Sequence, residues 1–114
     1  MQRTIYKISP RALWREAERL GEFRGAPVDL ADGFVHFSTA EQVVETAARH
    51  FAGQHDLVLA AIDAQALGEA LRWEPSRGGE LFPHLYAALD AALVRDVTEA
   101  PLDKGGVPQL RGLT

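Results

Sequence analysis

The chain has 114 residues, a formal net charge of −4 at neutral pH, 46% hydrophobic residues and 25% charged residues. That length and composition predict one globular domain, 1–114, and the absence of cysteine rules out disulfides, zinc thiolates and a cysteine nucleophile. The acidic balance leaves no basic face for duplex nucleic acid, and no apolar run has the length of a membrane span. Met1-Gln2-Arg3-Thr4-Ile5 lacks the apolar stretch of a secretion signal, so a cytoplasmic location is expected.

Ile5-Tyr6-Lys7-Ile8 reads as a first strand. Ser9 supplies a cap and Pro10 the first helical position of a helix whose apolar face is Leu13, Trp14, Ala17 and Leu20. Trp14 is read as core, and Gly21 as the helix stop. Residues 22–32 read as a loop.

Asp32-Gly33 signals a turn before the short aromatic strand Phe34-Val35-His36-Phe37. Side chains alternate along a strand. Phe34, His36 and Ser38 therefore share one side, while Val35 and Phe37 face a core. Ser38 with Glu41 three residues on has the form of a capping box, so a second helix starts where the strand ends. It spans Ala40 to Phe51, with Val43, Val44, Ala47 and Phe51 as its apolar stripe, and Gly53 ends it. The first N–H groups of that helix point back toward His36, a place to hold an anion or a polar ligand.

Leu57 to Ile62 is an unbroken apolar run closed by Asp63, which suits a strand buried on both faces. Residues 64–71 suit a short helical turn. Arg72-Trp73-Glu74-Pro75 leads into the loop Ser76-Arg77-Gly78-Gly79. Leu81 to Tyr86 then sets Phe82, His84 and Tyr86 on one face, and Pro83 suggests an edge or irregular strand. A last strand lies within 91–100, centred on Leu93 to Val97, and 101–114 reads as a loosely held tail. The element order is α+β with two helices.

Of the four histidines, no pair has the helix-face spacing of a metal site. His50 falls at a helix end and His55 in a loop. His36 and His84 both lie in short aromatic strands with polar company, so they are expected to converge on one concave site with Ser38 and Tyr86. Glu74 and Glu80 flank the glycine-rich loop, where either could serve as an acid, a base or an acceptor for a sugar hydroxyl. The Gly-x-Ser-x-Gly, Gly-x-Gly-x-x-Gly and P-loop patterns are absent.

Ile5-Tyr6-Lys7-Ile8, Asp32 through Gln42, Asp56 through Asp63, Arg72-Trp73-Glu74 and Phe82 through Tyr86 together resemble the bacterial domain-of-unknown-function 952 family. Its fold is similar to the ADP-ribosyltransferase fold, a split β-sheet cleft that binds NAD. The RNA 2′-phosphotransferases are the nearest within that group. Tyr6-Lys7, Val35-His36-Phe37-Ser38 and Ile62-Asp63-Ala64 stand where those enzymes have similar strands. The resemblance implies that His36 and Ser38, with Thr39 beside them, line an NAD-ribose cleft, and that Lys7 offers charge to a phosphate. Tyr86 or Trp73 would stack on a nicotinamide or base, and Glu80 or His84 would approach the third catalytic position. NAD is the implied cofactor and a small-molecule nucleotide the implied partner. Lys7 stands where the phosphotransferases have His and other ADP-ribosyltransferases have Arg. The resemblance therefore implies an ADP-ribosyl- or phospho-transferase; the alternatives are a binding module that kept the cleft without the activity and a small interaction protein whose aromatic residues serve only to pack.

Overall fold

The strand near the N-terminus and the unbroken apolar run that follows Asp56 become the two central strands of the main sheet. The computed structural model describes residues 3–113. β1 (Thr4–Pro10) pairs antiparallel with β5 (Leu57–Asp63) over its whole length, from Thr4 opposite Asp63 to Pro10 opposite Leu57. β9 (Val94–Glu99) extends this sheet beyond β5, and β4 (Ser38–Thr39) extends it beyond β1, in the order β4-β1-β5-β9. A three-stranded sheet is built from β3 (Val35–His36), β7 (Leu81–Leu85) and β6 (Leu71–Pro75), in that order. β2 (Glu22–Phe23) and β8 (Leu89–Asp90) form a small third sheet. With three α-helices among the described residues, the architecture is α+β.

Both faces of the main sheet are covered. Ile5, Val58, Ala60 and Ile62 join Trp14 and Ala17 of α1 (Arg11–Leu20), and Phe23, Val35, Phe37, Leu85 and Leu89, in one core. Tyr6, Ile8, Leu57 and Leu59 pack on the other side against Val43 and Ala47 of α3 (Ala40–His50). β5 is thus buried on both faces, as its unbroken apolar run predicts.

The helices differ from expectation in informative ways. α1 starts at Arg11 because β1 continues through Pro10, and the Ser9 hydroxyl donates to the Pro10 carbonyl instead of capping. Leu20 and Val44, assigned to apolar stripes, are more than half exposed, because each stripe is only as wide as the sheet it covers. The capping box of α3 belongs to Thr39 and Gln42, one residue beyond the expected Ser38 and Glu41 pair. The Gln42 amide oxygen accepts from Thr39 N at 3.1 Å, and Thr39 Oγ1 accepts from Gln42 N at 3.3 Å. Residues 22–32, read as a loop, hold β2 and a third helix, α2 (Pro27–Asp32). Gly33 ends α2 with φ 88°, a left-handed conformation natural to glycine.

The expected strand Phe34–Phe37 is split. β3 belongs to the three-stranded sheet and β4 to the main sheet, so the chain crosses between sheets at Phe37. Of the edge or irregular strand expected for Pro83, the edge is not found: it sits in β7, the middle strand, at the point where pairing with β3 stops. The break explains this. Phe37 N donates to the Pro83 carbonyl at 3.0 Å, and a strand residue's N and C=O point to the same side. The missing N–H of Pro83 therefore faces the gap between β3 and β4, where regular pairing lapses.

Residues 64–70 form 3-10 turns, and a further one at Ala91–Leu93 delays the last strand to Val94. The stretch after β9, expected to be loosely held, makes definite contacts. Leu102 bridges to Pro108, Gly53 N donates to the Gly106 carbonyl at 2.8 Å, and Leu110 and Leu113 pack on the second core.

Candidate functional site

α2 carries a carboxylate that the domain closes over. The Asp29 side chain has no exposed surface. Its Oδ1 accepts from Lys7 Nζ and His36 N, each at 3.0 Å, and from His36 Nδ1 at 2.6 Å. Its Oδ2 accepts from Ala26 N at 2.7 Å and lies 2.9 Å from Lys7 Nζ. The backbone approaches so closely that a Cβ on Gly25, which has φ 132°, would stand 2.7 Å from the Asp29 Cβ. Only glycine fits there.

Burial alone would push the Asp29 carboxyl up. The hydrogen bond from His36 and the Lys7 charge overcome it and hold the group at about 2. Burial lowers Lys7, against the attraction of Asp29. Lys7 is therefore an internal partner of Asp29 and not a surface cation.

His36 Nε2 meets a second carboxylate, Asp32 Oδ2, at 2.9 Å. A carboxylate accepts and does not donate, so the neutral ring can donate to only one of the two aspartates, and a ring with hydrogen on both nitrogens donates to both. β3 pairs with β7 so that His36 and His84 stand directly opposite, with ring centroids 5.5 Å apart. Phe34 covers both rings, 4.5 Å from His36 and 4.1 Å from His84 in a stacked arrangement.

β6 supplies the other acid. Glu74 Oε1 accepts from His84 Nδ1 at 2.8 Å and from the Tyr86 hydroxyl at 2.7 Å. The Tyr86 bond, then the His84 bond, holds Glu74 below the usual carboxylate range, and Glu74 in turn raises the Tyr86 phenol. The Arg72 guanidinium lies 4.9 Å from the Tyr86 ring. When the His84 ring is neutral and gives Nδ1–H to Glu74, its lone pair lies on Nε2, which has no hydrogen-bond partner among the described residues.

Of these groups, His36, His84 and Asp32 border a cavity of about 790 Å³. His36, His84, Ser38 and Asp32 line it on one side, Ile8, Phe37, Phe51 and Phe82 supply apolar wall, and the Arg49 guanidinium and the His50 ring also border it.

His36, His84 and Ser38 thus converge as expected, with Tyr86 joined to them through Glu74 and Phe34. Ser38 Oγ is 3.0 Å from Thr46 Oγ1. The remaining expectations need correction. Lys7 reaches the site only through Asp29. Thr39 is buried as the cap of α3. Trp73 alternates to the core side of β6, under the Arg3 guanidinium at 4.7 Å. Glu80 is exposed on the loop, where its carbonyl accepts from Ser76 N at 2.9 Å. Glu74, the other acid flanking that loop, reaches His84. His50, read as an outlying helix-end residue, borders the cavity.

Asp29, Asp32 and the Phe34 platform are site residues that the reading of the chain did not single out. Pro27 followed by Asp29 is a helix-start pattern that could have shown α2. No sequence signal announces that Asp29 would be sealed against Lys7.

Fold and site together define a small α+β domain in which two carboxylate-bound histidines on adjacent strands wall a cavity. The chain belongs to the family described as Protein of unknown function (DUF952), whose model matches residues 8–97. It is similar to protein CC0527 from Caulobacter crescentus. The crystal structure of that protein is 54% identical over 94% of both chains, with a TM-score of 0.92. Its solution NMR structure gives 54% identity over 94% of this chain and 92% of that one, with a TM-score of 0.85. No match is found among curated proteins.

Proposed function

We propose that the cavity binds a nucleotide of the NAD or ADP-ribose kind, on a fold related to the ADP-ribosyltransferases and, within them, the RNA 2′-phosphotransferases. The observation that carries this reading is the juxtaposition of His36 and His84, rings 5.5 Å apart, on the wall of a cavity of about 790 Å³. Sites for small ligands are apolar recesses of roughly 300–1,000 Å³ with a few converging polar groups. Here the aromatic wall suits a base or nicotinamide, His84 Nε2 can accept from a ribose hydroxyl, and the Arg49 guanidinium offers charge to phosphates. NAD is the cofactor this reading assigns, and a nucleotide rather than duplex nucleic acid is the partner. A cytoplasmic location agrees with a cysteine-free chain and an intracellular ligand.

Binding without turnover is the stronger form of the reading. Lys7 is already neutralised by Asp29, His36 is held by two aspartates, and Glu80 lies outside the cavity wall. Transfer of an ADP-ribosyl or phosphoryl group is the second form. It is favoured by the Glu74–His84 pair, which is arranged as an oriented base that could take a proton from an acceptor nucleophile.

Calorimetry with NAD, ADP-ribose and a short 2′-phosphorylated RNA tests binding. ADP-ribose should bind the wild type and bind His84→Ala much more weakly. No heat from any of the three at millimolar ligand overturns the nucleotide reading. Chromatographic turnover of NAD separates the two forms.

A further inference from the structure

We infer that Asp32 occupies the place of a ligand's oxyanion, and that His36 Nε2–H is an anion-binding group of the cavity. The inference rests on the reading of this cavity as a ligand site. The His36 ring cannot turn away. Its Nδ1 lies 2.6 Å from Asp29 Oδ1, on a fully buried carboxylate that also holds Lys7, Ala26 N and His36 N. The Phe34 ring packs against it at 4.5 Å. The direction of Nε2–H is therefore set before any ligand arrives, which is what a preorganised donor requires.

Its present partner is of a different kind. Asp32 is the last residue of the six-residue α2, and its side chain is 48% exposed. The bond to His36 is the one hydrogen bond of its carboxylate among the described residues. An exposed pair of this sort contributes little to folding. Asp32 and His36 both line the cavity. An incoming oxyanion would therefore displace one carboxylate with another acceptor of like charge, while Asp32 turns to water. The ring keeps both its hydrogen bonds throughout, so the exchange leaves no buried donor unpaired. Phosphoryl and carboxylate groups share this chemistry. Under the nucleotide reading the group is a phosphate.

The test is calorimetric titration of wild type, Asp32→Ala and Asp32→Asn with ADP-ribose, inorganic pyrophosphate, acetate and adenosine. Asp32→Asn keeps the side-chain shape should Asp32→Ala disturb α2. Both variants should bind pyrophosphate and ADP-ribose about tenfold more tightly than wild type, a clear change on an affinity scale. Adenosine, without an oxyanion, should be unaffected. The gain should vanish when His36→Gln is added, and the ¹⁵N resonance of His36 Nε2 should move with pyrophosphate. Acetate matching pyrophosphate would assign the group to carboxylates instead of phosphates. Tighter pyrophosphate binding with no ADP-ribose binding anywhere sustains the anion site and removes the nucleotide. ADP-ribose binding equally to all three proteins overturns the anion site and leaves the nucleotide reading standing. No oxyanion binding to any variant also overturns it.

Discussion

Lys7 and Asp29 form an ion pair sealed inside the domain, with Nζ 2.9 Å from Oδ2 and no exposed surface on the carboxylate side chain. The pair joins β1 to α2, and through the same carboxylate it orients His36. Asp29→Ala would strand Lys7 in an apolar interior and free the His36 ring. Breaking a buried pair by removing one member costs about 3–5 kcal/mol. Urea unfolding should register a loss of that size, with much of it recovered when Lys7→Met is added. Equal midpoints for wild type and Asp29→Ala would show that the pair does not contribute.

The same carboxylate predicts acid behaviour. Asp29 sits at about 2 in the fold against an ordinary value of 3.8. Between those values the unfolded chain binds more protons, so stability falls with falling pH. The contribution is fully present above about pH 4 and is lost as the pH drops through about 2. At about 1.36 kcal/mol per pH unit it amounts to about 2 kcal/mol. A ¹³C titration of the Asp29 carboxyl checks it, and a midpoint at the ordinary value would refute it.

Phe37 marks the crossing between sheets, and its ring is 2% exposed within the first core. Phe37→Ala should cost about 3–5 kcal/mol through lost burial and the cavity left behind. A chemical-denaturation midpoint equal to wild type would mean that the ring does not pack as described.

Glu74 is predicted to govern His84 and Tyr86 together. Glu74→Gln should lower the Tyr86 phenol toward its ordinary value, read by NMR titration of that ring. It should also weaken ADP-ribose binding, because a neutral amide oxygen accepts from His84 Nδ1–H more weakly than the carboxylate Oε1 does and secures the His84 tautomer less firmly. Glu80→Gln, on the exposed loop, should leave both unchanged. Identical titrations for Glu74→Gln and wild type would remove Glu74 from this role.

Much of the fold was legible in local pattern. Strand alternation put Val35 and Phe37 in the core, and the apolar run Leu57 to Ile62 announced a doubly covered strand. α2 escaped notice because only six residues form it, and Asp29 is its one buried residue. A burial pattern made by one carboxylate has no apolar period to detect. That Pro83 lies in a middle strand, and not on an edge, escaped notice for a related reason. A proline is excluded from a middle strand only where its neighbour needs the missing N–H, and the neighbour's break at Phe37 lies 46 residues away in the chain.

The sequence by itself determined the α+β class, the two long helices and the shared strand faces of His36 with Ser38 and of His84 with Tyr86, because periodicity and face alternation are properties of short segments. Tertiary structure alone decided which acids serve those histidines. Asp29, Asp32 and Glu74 are selected by strand register and by the docking of α2, whereas Glu80, an equal candidate on the page, is left in solvent. The physical reason is that a carboxylate's role depends on what it is desolvated against. Lys7 shows the same dependence: the family resemblance implies a cation for a ligand, and only the closing of α2 over β1 makes it the buried counterion of Asp29.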